Sequence, residues 1–225
     1  MTRIASDMRS HSALAPPTVY VLDGDPHYRA TLQALLESVH LPVETYSSAR
    51  DFLEDYDATR PGCLILEMRL PGMSGLELQR ELSQQEDCLP IIVLTAYADV
   101  PSTVEAMKYG AQDFLEKPHQ PQQLLEKVQW ALQEDEDRCW RALNDAEITQ
   151  RLQSLTAREI EIQNLLMVGS TAKQIARKLQ ISVRTVDFHR RNVLAKMQVE
   201  NVVQLTHLLD EYLFRHPPYS RRYRK

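Results

Sequence analysis

Three stretches of the chain, 18–23 (TVYVLD), 63–68 (CLILEM) and 89–95 (LPIIVLT), are apolar at almost every position. A strand with one wet face alternates apolar and polar side chains. Strands without that alternation are covered on both faces, as in parallel sheets. Segments 43–46 and 111–117 (AQDFLEK) add two strand candidates. Helix patterns separate them. Asp25 and Pro26 can cap and start a helix whose apolar stripe includes Leu32, Leu35, Leu36 and Val39. Segment 48–57 presents Phe52, Leu53 and Tyr56. A third helix follows the turn RLPGMSG, from Ser74 to about Leu82, and a fourth runs from Pro101 to Tyr109, stopped by Gly110. Five strands alternating with helices predict a doubly wound α/β domain with a five-stranded parallel sheet. Such sheets place their working site outside the carboxyl ends of the strands. Asp23 with Asp25, Glu67, Thr95 and Lys117 are the polar groups there.

From Pro121 to about Ser154 no residue breaks a helix. Leu124, Leu125, Val128, Ala131 and Leu132 form one stripe; a weaker one continues through Cys139, Leu143, Ala146, Ile148 and Leu152. A helix over 121–153 would run roughly 50 Å at 1.5 Å per residue; the alternative is a break near 134–138. The remainder reads as four short helices. Thr156 and Glu159 have capping-box spacing, and Gly169 ends the first helix. Ser170 or Thr171 caps the second. Ser182 caps the third, which runs to Met197 with Val186, Val193, Leu194 and Met197 inward. The fourth spans about 201–214. Two short helices joined by a tight turn at Ile181 fit a helix-turn-helix.

Charge divides the chain at a similar place. Residues 151–225 hold 14 basic and 6 acidic residues, net +8, whereas residues 1–150 hold 12 and 25, net −13. A polyanion would therefore meet the second part. No apolar run reaches the roughly 18–20 residues of a membrane span. Residues 1–17 contain no signal-like apolar core. Three widely spaced cysteines, Cys63, Cys88 and Cys139, suit a reducing cytoplasm. The expected organisation is a flexible N-terminus (1–17), an α/β domain (18–120), a linker helix (121–153), a helical DNA-binding domain (154–214) and a basic tail (215–225).

The strings VYVLDGD, LILEMRLPGMSG, PIIVLTAYADV and AMKYGAQDFLEKP resemble the receiver domain of two-component response regulators. LTAREIEI, AKQIARKLQIS and RTVDFHRRNVLAKM resemble the LuxR-type DNA-binding domain. The whole resembles a FixJ/NarL-type transcription regulator. The resemblance implies that an aspartate ending the third strand takes a phosphoryl group from a histidine kinase. It also implies an acidic pair after the first strand that holds Mg²⁺, a Thr and a Lys that contact the phosphoryl group, and an aromatic reporter. Thr95, Lys117 and Phe114 match that pattern. The phosphoacceptor position is Glu67 instead, and the second acid is Gly24, leaving Asp23 with Asp25 one residue on.

Mg²⁺ requires near-octahedral oxygen ligation, and in-line transfer tolerates little misplacement. No cofactor is therefore expected, and Mg²⁺ binding is weakened or lost, with at most a weak site at Asp23 and Glu67. Two readings of Glu67 follow. Its longer arm places a fixed charge beside Lys117 and Thr95 and imitates a phosphoryl group, or it is a relic in an inert site. Retained phosphorylation by a histidine kinase is the alternative.

On the third helix of the second domain, Arg184, Asp187, Phe188 and Arg191 face outward, where a recognition helix meets base edges; Arg191 suits guanine. Lys173, Thr185, Arg190 and Lys196 suit phosphate or positioning contacts. His189 reads as a packing residue. The expected partners are double-stranded DNA and a second copy of the chain. That copy would meet the face of 101–130, the long helix, or the last helix with Val202, Val203, Leu205 and Leu208. A histidine kinase or another signalling protein is the expected partner of the receiver. A remote alternative reads Asp23-Gly24-Asp25 as the DxD of a haloacid-dehalogenase-type Mg²⁺-dependent phosphatase. That family needs a later acidic pair, and 111–117 ends in Glu-Lys-Pro.

Overall fold

The computed structural model describes residues 15–84 and 89–216. Most of the expected flexible N-terminus, Cys88 and the basic tail from residue 217 lie outside the described residues. The described residues form two compact units, divided between Arg141 and Ala142.

In the first unit the elements alternate. They are β1 (Thr18–Leu22), α1 (Pro26–Glu37), β2 (Val43–Tyr46), α2 (Ala49–Asp55), β3 (Gly62–Leu66), α3 (Gly75–Leu82), β4 (Ile91–Thr95), α4 (Val100–Lys108), β5 (Asp113–Glu116) and the start of α5 (Pro121–Gln153). All strand pairs are parallel, in the order β2-β1-β3-β4-β5. The doubly wound sheet is thus as the sequence predicts.

The uniform apolarity of β1, β3 and β4 follows from what covers them. Tyr20, Leu22, Leu64, Leu66, Ile91 and Val93 pack into one cluster with Phe52, Leu78, Leu82 and Ala106 from α2, α3 and α4. The alternate residues Val19, Val21, Cys63, Ile65, Ile92 and Leu94 join Leu32 and Leu36 of α1 with Leu124, Val128 and Ala131 of α5 on the other face. Each fully buried Leu, Ile or Val contributes about 1.5–3 kcal/mol.

α5 is a single 33-residue helix, without the break considered near 134–138. Its stripe 124, 128, 131, 132, 139 has a polar member. Asp135 falls on the same side and is buried. Its carboxylate accepts from the Gly62 backbone N–H at 2.8 Å and from Arg138 Nε at 2.8 Å. Gly62 permits the approach, because a Cβ there would lie 2.4 Å from the Thr18 carbonyl oxygen. The first residue of β3 is thereby fastened to α5.

The second unit holds the end of α5, α6 (Ala157–Met167), α7 (Ala172–Leu179), α8 (Val183–Lys196) and α9 (Val202–Arg215). Thr156 and Glu159 form a capping box, as do Thr171 and Gln174, so Thr171 and not Ser170 caps α7. Gln180 ends α7 in the left-handed region, φ 55°, without a glycine to mark the stop. Ile148, Leu152, Val193, Met197, Leu205 and Tyr212 form one core, and Ile162, Leu166, Ile175, Ala176 and Val186 the other. Arg215, expected in the tail, is the last residue of α9, and its guanidinium grips Asp145 through two bonds of 3.0 and 2.6 Å. Among the described residues no helix is long and apolar enough to cross a membrane.

Candidate functional site

The strand register assembles the acidic site. Leu22 pairs with Leu66, Leu66 with Val93, and Thr95 with Glu116. The residues that end these strands or follow them, Asp23, Glu67, Thr95 and Lys117, therefore meet at one edge of the sheet. Asp23, Glu67 and Thr95 are all buried.

Glu67 is the hub. Its Oε1 accepts from Thr95 Oγ1 at 2.5 Å, from the Met68 N–H at 2.7 Å and from the Arg69 N–H at 3.3 Å. Its Oε2 accepts from Lys117 Nζ at 2.8 Å. The same ammonium also bonds the Asp23 carboxylate, and both ion pairs are almost sealed from water. Asp23 accepts in addition from the Asp25 N–H at 2.9 Å. Burial alone would raise the Glu67 carboxyl. The bonds from Lys117 and Thr95, with the charge of Lys117, outweigh burial and hold Glu67 below the usual carboxylate range.

The pocket is closely walled. Gly75 donates to the Met68 carbonyl at 2.9 Å, and a Cβ there would lie 2.4 Å from the Glu67 carbonyl oxygen. Lys117 Nζ lies 3.9 Å from the centre of the Tyr28 ring, and the Tyr28 hydroxyl meets His119 Nε2 at 2.8 Å. Burial and the charges of Asp23 and Glu67 push the Tyr28 phenol up to about 12. Neither Tyr28 nor His119 is legible as a site residue from the sequence, because neither ends an apolar strand.

Asp25 and Phe114, also expected at the receiver site, make their contacts outside this cluster. Asp25 is the N-cap of α1. It is exposed and accepts from His27 N at 2.9 Å and Tyr28 N at 3.4 Å, so it turns to the helix and not to Glu67. Phe114 is half-buried and packs against the core cluster of α2, α3 and α4. Tyr97 is the exposed aromatic near the strand ends, with the Arg69 guanidinium 3.5 Å from its ring centre.

A Mg²⁺ ion fits this donor set poorly. One carboxylate is missing at Gly24, and an ammonium already binds both remaining acids. Among the described residues no three His, Cys, Asp or Glu side chains are grouped to hold a metal ion. The DxD reading has the same difficulty, since Asp23 and Asp25 are committed to different partners.

The second candidate surface is α8. Val186 and Val193 are buried, while Arg184, Asp187, Phe188, Arg190 and Arg191 are exposed. Residues 184, 187, 188 and 191 share one outward stripe, since spacings of 3, 4 and 7 return to the same side of a helix. Lys173 is exposed on α7, and with Arg177, Gln180 and Val183 it lines an open hollow between α7 and α8. Thr185 is half-buried, its hydroxyl 2.8 Å from Ser182 Oγ. Lys196 is committed inward: its ammonium bonds buried Glu159 at 2.7 Å and the Ser154 carbonyl at 3.0 Å. That pair ties α8 to α6, a role the basic run in the sequence conceals. His189 is half-buried, its ring set edge-on to Phe188 at 5.5 Å. On α9, Leu205 is core, so only part of the proposed dimer set is available; Val203 is exposed.

Comparison with known proteins bears on both surfaces. Residues 19–129 match the response regulator receiver domain family, and residues 153–209 match the family of bacterial regulatory proteins of luxR type. The response regulator protein TodT of Pseudomonas putida is 36% identical over 200 residues, covering 89% of this chain and 88% of its own length. The transcriptional regulatory protein FixJ of Bradyrhizobium diazoefficiens is 36% identical over 190 residues, covering 84% and 93%. The solved structure of the response regulator StyR is similar with a TM-score of 0.82 and 42% identity, over 88% of this chain and all of that one.

Proposed function

This chain belongs to the response regulators that join a receiver domain to a LuxR-type DNA-binding domain, and we propose that it controls transcription without phosphoryl transfer to its receiver. It is a transcriptional regulator by family; the independence from phosphate is our reading. The observation that carries it is Lys117, bound at once to Asp23 and Glu67. In this reading Glu67 supplies from within the chain the negative charge that a phosphoryl group would bring to Lys117 and Thr95. Phosphorylation by a histidine kinase would need an acceptor carboxylate free to attack and a metal to neutralise the incoming charge. Here both Glu67 oxygens are occupied by donors, and the metal's ligands are engaged by an ammonium.

The output is sequence-specific binding of double-stranded DNA, by a homodimer on two half-sites, in the cytoplasm. α8 enters the major groove. Arg191 reads guanine, Arg184 and Asp187 flank it, and Lys173 and Arg190 hold phosphates. Lys196 is left out of this set, and Thr185 serves mainly to start the helix.

The test is binding of the untreated full-length protein to genomic fragments by fluorescence anisotropy. Tight binding without any phosphate donor is expected. With about six to ten phosphate contacts, affinity should fall roughly 10³–10⁵-fold between about 50 and 200 mM salt. Affinity that is weak without a donor and rises on adding one would overturn the reading.

A further inference from the structure

We infer that Phe188 is a specificity-determining residue that reads the C5-methyl group of a thymine in the major groove. The inference rests on the proposed DNA-binding role of α8 and deepens it.

Phe188 lies two residues from Val186, which is fully buried, and so about 200° around the helix from the core. It is 53% exposed. Folding therefore gains only part of what full burial of the ring would give. Its neighbours along the outward stripe are Arg184, Asp187 and Arg191, all charged and exposed. A lone exposed apolar residue is ordinary. This one stands at the centre of a charged stripe, on the helix whose outward face meets base edges.

Among the four bases, only thymine presents an apolar group in the major groove, and an aromatic side chain contacts it favourably. The edge-on packing of His189 against the ring, at 5.5 Å and 72°, limits the positions Phe188 can take before DNA arrives. A pre-set ring loses less freedom on binding. Arg191 and Asp187 beside it can take the polar edges of adjacent base pairs, so one turn of helix would combine hydrogen-bond and methyl readout.

The experiment uses the full chain and a duplex obtained by selection from random DNA. Each thymine of the selected site is replaced in turn by deoxyuridine, which removes the methyl group and nothing else. Burying one methyl is worth roughly a fourfold change in Kd. The expected result is a loss of that size at one thymine per half-site for the original protein, and no loss at that position for Phe188→Ala. Because about half of the side chain is exposed, Phe188→Ala should remain folded with at most a small fall in unfolding temperature, which is measured alongside. Neutral exchange at every thymine, or a loss that persists in Phe188→Ala, would overturn the inference while leaving DNA binding intact. Failure to select any bound duplex would instead overturn the DNA-binding reading on which it stands.

Discussion

Glu67→Gln removes one charge from the acidic site and changes its shape very little. Glu67 Oε1 accepts from three donors, and Oε2 meets the Lys117 ammonium. A glutamine amide must therefore turn its NH₂ toward an ammonium or toward backbone N–H groups, a donor against a donor either way. Losing one partner of a buried ion pair costs about 3–5 kcal/mol when the other charge is left alone. Lys117 keeps Asp23, however, so the cost falls nearer that of a hydrogen bond to a charged group, about 1.5–3 kcal/mol. For a unit of this size the matching drop in Tm is roughly 5–12 °C. Calorimetry of the full chain gives that shift, and amide exchange assigns it to β1, β3 and β4.

The pH dependence has a defined sign. The folded-state pKa of Glu67 is lowered, so its contribution is complete above the unfolded value of about 4.3 and is lost as pH falls through the folded value. The two proteins should differ most at neutral pH and converge in acid. Equal Tm values at pH 7 would refute the hub role of Glu67.

Glu67→Asp combined with Gly24→Asp should restore Mg²⁺ binding and response to acetyl phosphate. The Cβ at position 24 meets nothing nearer than Pro71 at 3.7 Å, so the new side chain has room, and calorimetric titration with Mg²⁺ checks the gain. Lys196→Ala should destabilise the second unit by about 1–3 kcal/mol by leaving buried Glu159 short of its partner, whereas Lys173→Ala should leave stability unchanged and weaken all DNA sequences alike; thermal melts and anisotropy separate the two. Asp135→Ala should cost about 1–3 kcal/mol through the stranded Gly62 N–H, with exchange rising first at the start of β3.

The parallel sheet and the meeting of Asp23, Glu67, Thr95 and Lys117 at its carboxyl edge were legible because three strands are apolar on both faces and end in polar groups; the strand order β2-β1-β3-β4-β5 was not read from them. The helix bounds followed from caps such as Ser74, Thr156 and Ser182. What remained hidden depends on side chains reaching across elements. Lys117 suits one acid as well as another by sequence, and only the register of β1 against β3 places it between two. Asp25 resembles a member of an acidic pair, yet the free N–H groups of α1 claim it. Lys196 belongs to a basic run by composition and to Glu159 by geometry. Asp135 could have been singled out, since it interrupts the apolar stripe of α5 where a solvated charge does not belong.

Phosphate independence is tested most directly by incubating the full-length protein with acetyl phosphate and Mg²⁺, then measuring intact mass and DNA affinity on the same sample. The expected result is no mass increase of one phosphoryl group and an unchanged Kd. A stoichiometric adduct on Glu67 accompanied by tighter DNA binding would contradict it.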